Sequence, residues 1–69
     1  MAKVTTPQAA EILSVSQVSV FRWVHDGLLP AERRTLRRII RIDIDDLRRF
    51  AEKNGYDFDE KVAGKYAGK

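Results

Sequence analysis

Residues 5–27 read TTPQAAEILSVSQVSVFRWVHDG, two short helix patterns joined by a turn of three residues. Thr5 or Thr6 stands where an N-cap belongs, and Pro7 falls in the first turn, where its missing N–H costs nothing. Gln8 follows Thr5 at the spacing of a capping box. Ala9, Ile12 and Leu13 recur at three and four residues, so they form one apolar stripe on a helix ending near Leu13. Ser14, Val15 and Ser16 make the turn, with Val15 plugging the angle between the helices and Ser16 capping the second. From Gln17 to Asp26, Val20, Trp23 and Val24 share about one third of the helical circumference and face inward, and Gly27 supplies the stop.

That inward stripe defines an outward face. At roughly 100° per residue, Val18, Arg22 and His25 lie opposite it, with Gln17 and Phe21 on one flank and Ser19 on the other. Leu28, Leu29 and Pro30 then lead into an extended segment near residues 31–33, and RRIIRI at residues 37–42 reads as a second strand. Alternation turns Ile40 and Ile42 inward and Arg41 outward. The turn at residues 34–37 has no glycine, so its type is left open. Asp43 caps a third helix, with Ile42 and Leu47 at the spacing of a hydrophobic staple and Asp45 and Asp46 in the first turn. Leu47, Phe50 and Ala51 form its core stripe, Arg48 and Arg49 face out, and Asn54 with Gly55 ends it.

These signals predict a mainly α domain with a small β-hairpin over residues 5–54, three helices with two strands between the second and third. Residues 1–4 are expected to be a flexible start and 55–69 a mobile tail. In that tail YDFDEKVAGKYAGK carries two copies of AGK and no evident apolar period, although Tyr56 and Phe58 can anchor its first part. A chain of 69 residues buries roughly 60% of the surface its unfolded form exposes, so nearly every large apolar residue is wanted inside. Ile12, Leu13, Val20, Trp23, Val24, Leu28, Ile40, Ile42, Leu47 and Phe50 are the core candidates.

There is no cysteine, which excludes disulfides, thiolate metal sites and thiol chemistry. No apolar run approaches the ~20 residues of a membrane span or the ~7–15 of a secretory signal core. The expected setting is the cytoplasm, with no membrane partner. Ser14, Ser16 and Ser19 have no histidine in a triad pattern, and a cap with first-turn acids accounts for Asp43, Asp45 and Asp46 without a metal. No phosphate-cradling or hydrolytic motif occurs, so neither an enzyme nor a cofactor is expected.

The net charge is only +3, yet Arg33, Arg34, Arg37, Arg38 and Arg41 fall within nine residues that hold no acid. One face should therefore be strongly positive, which points to a polyanion; the plainer reading is a cationic loop without a partner. A helix with a free outer face followed by a cationic hairpin is an arrangement suited to duplex DNA. On that reading Gln17 has the chemistry to pair with adenine, Arg22 with guanine, and Val18 or Phe21 to meet a thymine methyl. Phe21 has a second reading, packing under the hairpin, and His25 one as a surface residue at a helix end.

An ordered set of six features carries a family resemblance over residues 5–50: TPQAAEIL, the SVS turn, VFRW, GLLPA, the arginine-rich stretch and DL-F in the third helix. The chain resembles the excisionase and MerR-type winged helix-turn-helix domains. The resemblance implies that the second helix enters the major groove and the wing meets flanking backbone or minor groove. Matched residue by residue, this places Gln17, Val18, Ser19, Phe21 and Arg22 at or near base edges and phosphates, and Arg33, Arg34, Arg37, Arg38 and Arg41 on the wing; His25, on the outward face of the same helix, completes the candidate DNA-binding set. Thr5 and Thr6, at the start of the first helix, are the expected backbone contacts. The implied function is sequence-specific binding of double-stranded DNA by a small transcriptional regulator. Excisionase-like control of recombination, an antitoxin-type regulator, and a protein-interaction module on the same fold are the alternatives. Side-by-side self-association on DNA and a protein partner for the tail stay open.

Overall fold

The computed structural model describes residues 2–34 and 39–67, with backbone alone at 33, 34 and 39. The chain runs β1 (Lys3–Val4), α1 (Thr6–Leu13), α2 (Gln17–His25), β2 (Glu32–Arg34), β3 (Ile39–Asp43), α3 (Ile44–Asn54) and α4 (Glu60–Ala67). The strands form one antiparallel sheet in the order β1-β3-β2. The turn expected at 34–37 lies largely outside the described residues, as do the first two residues of the strand expected at 37–42.

Each of the first three helices starts at the cap its sequence announces. Thr5 accepts from the Gln8 backbone N–H while its own N–H donates to Gln8 Oε1 at 2.9 Å, closing the capping box. Ser16 Oγ accepts from Ser19 N–H at 3.2 Å, and Asp43 Oδ1 accepts from Asp45 N–H at 2.9 Å. α1 ends on Ser14, whose φ of 58° puts a residue with a Cβ in the left-handed region. The Val15 N–H then reaches the Ala10 carbonyl at 3.0 Å, which draws the chain tightly into α2 and half-buries Val15 against the core. α3 stops at Gly55, φ 76°, with the Tyr56 N–H donating to the Ala51 carbonyl at 2.9 Å.

The core is built from Ile12, Val20, Leu29, Ile42 and Leu47, each at most 1% exposed. It also takes in Ile44, which extends the Leu47 and Ala51 stripe of α3 by one turn, and Val4, which belongs to no helix. Val4 enters because β1 pairs with β3, Val4 opposite Ile42, so Lys3 and Val4 form a strand within the segment expected to be flexible. Leu28, expected inside, is 63% exposed and Leu29 takes its place at 1%. The cause is local: Gly27 adopts φ 79°, and both the Leu28 and Leu29 N–H groups fold back on the Trp23 carbonyl, at 2.9 and 3.2 Å. Trp23 and Ile40 are half-buried at the edge of this core.

Residues 55–69, read as an aperiodic tail, contain a fourth helix. Asp59 Oδ1 accepts from the Lys61 and Val62 N–H groups at 3.0 and 3.2 Å, which starts α4. Its backbone N–H also donates to the Ile12 carbonyl at 3.0 Å, supplying a partner that the last turn of α1 lacks. Ala63 is 2% exposed, and Val62, Tyr66 and Phe58 pack half-buried around it. Ala63 alone of these is fully buried, where α4 packs on α1 and β1.

Candidate nucleic-acid interface

Burial of Val20 and Val24 fixes the roll of α2, and the helical repeat then turns Gln17, Val18, Phe21, Arg22 and His25 outward, all exposed. No acid occurs in α2, and Arg22 forms no salt bridge among the described residues. Ser19 is half-buried, with its hydroxyl 3.1 Å from Ser16 Oγ, so the cap already uses part of its hydrogen-bonding capacity. Phe21 stacks on His25, ring centroids 6.3 Å apart and planes 12° apart.

Phe21 is 53% exposed and borders the hairpin as well as solvent. It shares an open groove of about 340 Å³ with Thr6, Gln17, Val18 and Ile40. The start of α1, the start of α2 and the middle of β3 thus meet at one place. Thr6 belongs to this groove, whereas the Thr5 hydroxyl is held in the capping box. Ile40, read from sequence as core, packs half-buried against it and also lines this groove, a second role that strand alternation does not show.

The basic residues of the hairpin do not all join this surface. Arg33 and Arg34 pair in register with Ile40 and Ile39, while Arg37 and Arg38 lie outside the described residues. Arg41 alternates with Ile40 and Ile42 along β3, so it stands on the other face of the sheet from Ile40. There it lines a separate groove of about 300 Å³ with Lys3, Glu32, Asp43 and Asp46, and Lys3 and Glu32 pair at 3.5 Å across the sheet. One continuous footprint of α2 and every hairpin arginine is therefore not formed: Arg41 sits among acids.

A third groove, about 610 Å³, runs beside Trp23, Leu28, Phe50 and Tyr56 and shares no lining residue with the first. Its aromatic rings are packed on one another, Trp23 at 4.8 Å from Phe50 and 5.0 Å from Tyr56. On the α4 side Arg48 is bidentate to Glu60, at 3.1 and 3.0 Å, and reaches Asp45 at 3.0 Å. These carboxylates, Glu60 first, raise the guanidinium's pKa above its ordinary value. The Tyr66 hydroxyl donates to Glu11, which likewise raises the phenol above its usual range.

Among the described residues no cluster of His, Asp or Glu is placed to hold a metal ion, and no helix is long and apolar enough to cross a membrane. Two short helices joined by a tight turn, the second with its outer face uncovered and a hairpin beside it, define a helix-turn-helix domain. The chain belongs to this family: the helix-turn-helix domain family model matches residues 4–55, from β1 to the cap of α3. The match stands at that level and does not single out the MerR type. No curated protein and no solved structure matches the chain. Membership of the family suggests DNA as the ligand, and proteins of this kind are typically not enzymes.

Proposed function

We propose that this protein binds double-stranded DNA sequence-specifically, with α2 in the major groove and the β2–β3 hairpin as an arginine-bearing wing on flanking backbone or minor groove. The supporting observation is the uncovered face of α2: Gln17, Val18, Phe21 and Arg22 stand exposed, without an acid, on a helix whose other side is anchored by Val20 and Val24. A major groove ~12 Å wide admits such a helix, and each bidentate pair there contributes about 1–3 kcal/mol of discrimination. Gln17 suits adenine and Arg22 guanine. Ser19 flanks this face and His25 closes its C-terminal end, and Thr5 and Thr6 bring the N-terminus of α1 toward a phosphate.

Arg33, Arg34, Arg37 and Arg38 act on the backbone as the wing, and Arg41, whose charge is offset by Glu32, Asp43 and Asp46, contributes least. With about five phosphates neutralised, log affinity falls with log salt at a slope near −4.5. One domain reads only a few base pairs, so copies bound side by side supply the remaining specificity. The role we favour is a small cytoplasmic transcriptional regulator working without a cofactor; excisionase-like recombination control or an antitoxin-type regulator would use the same interface.

Selection of bound sites from random duplexes, followed by a stoichiometry titration on the winner, tests this. A short enriched motif bound by more than one copy is expected. Sites overlapping promoters indicate regulation, and direct repeats beside an attachment site indicate recombination. No enrichment, with no retention on any duplex in dilute buffer, would leave the protein-interaction module as the better reading.

A further inference from the structure

The groove between α2 and β3 has a chemistry that phosphate contacts do not explain. Val18 is 65% exposed and Phe21 53%, one helical turn apart, and Ile40 closes the third side. The Phe21 ring is steadied by its stack on His25, and a β-branched side chain in a helix is confined to few rotamers, so these walls are preformed. Gln17 and Thr6 supply polar groups at the rim. In a major groove the apolar group that projects from a base edge is the C5-methyl of thymine.

We propose that Val18, Phe21 and Ile40 form a binding site for the methyl group of a 5-methylpyrimidine, resting on the reading above that α2 occupies the major groove. Thymine fills the site in ordinary DNA. 5-Methylcytosine carries its methyl on the same ring carbon, so the site accepts that base as well, and the protein distinguishes methylated from unmethylated cytosine at this position. Gln17, beside the pocket, is placed to read the adjacent base pair.

The test uses the full chain and its selected duplex, with each thymine replaced in turn by uracil, which removes only the methyl. At one thymine per bound copy, affinity is expected to fall about fourfold, the factor carried by one buried methyl-sized group. Changing that pair to cytosine–guanine and then methylating the cytosine should restore about the same factor. Val18→Ala and Phe21→Ala should each reduce the thymine-to-uracil ratio toward one, whereas Arg22→Ala should weaken binding and keep the ratio. Thermal melts of the two apolar variants verify that they fold, as expected for exposed positions. A selected site without thymine, a uracil scan flat at every position, or a ratio unchanged in both apolar variants would overturn the methyl site while leaving DNA binding intact. A chain that retains no duplex at all would overturn both.

Discussion

The α4 side of the molecule and the outer face of α2 use their side chains differently. On the α4 side Arg48 is tied to Glu60 and Asp45 and lies over the Phe58 ring, Tyr66 is tied to Glu11, and Ala63 is buried in the core. On α2, Val18, Phe21 and Arg22 stand in solvent, and Arg22 forms no salt bridge among the described residues. A small domain has little surplus stability, so apolar area left exposed on one helix face, next to polar groups left unpaired, marks a surface shaped by something other than folding.

Substitutions should separate the two regions. Ala63→Glu forces a charge into the α1–α4 contact and should cost up to about 3 kcal/mol of stability, while the folded fraction keeps its DNA affinity. Chemical denaturation paired with binding reads both. Arg22→Ala should do the reverse: stability within about 0.5 kcal/mol of the parent, and DNA affinity lower by about 1–3 kcal/mol with relaxed specificity. The wing gives a smaller and less selective effect. Arg37→Ala with Arg38→Ala should weaken all duplexes nearly alike and flatten the salt slope by about 2, measured by anisotropy across a salt series.

The smallest effect tests the joint between the regions. Ser14 holds φ 58° between α1 and α2, where glycine bears no Cβ penalty. Ser14→Gly should raise stability by about 0.5 kcal/mol, the relief being partly cancelled by the freer unfolded chain. A loss of stability there would mean that the Ser14 side chain contributes something beyond the backbone geometry of the cap.

What the sequence made legible was local. The capping box of Thr5 and Gln8, the Ser16 and Asp43 caps and the Gly55 stop are short-range hydrogen-bonding and backbone preferences at fixed spacing, and each formed. The outer face of α2 was readable for the same reason, because Val20 and Val24 define its complement. Long-range choices were not. Val4 is buried only because β1 finds β3, and Leu29 replaces Leu28 only because Gly27 turns the chain back on Trp23. α4 depends on Asp59 meeting the Ile12 carbonyl across the fold, although Asp59, Val62, Ala63 and Tyr66 already sit at helical spacing. In the site, alternation along the strand already turned Arg41 away from Ile40; the pairing that sets Glu32 opposite Arg41 and Lys3 opposite Asp43, and so brings acids around it, was not readable.

Backbone amide mapping by NMR during titration with a short duplex addresses the difference between the two regions in one experiment. Shifts should gather on Thr6, Gln17, Val18, Phe21, Arg22 and Ile40 and leave Ala63, Lys65 and Tyr66 unmoved. Shifts gathered on α4, or none at low salt, would show that the uncovered face of α2 is not where this protein meets DNA.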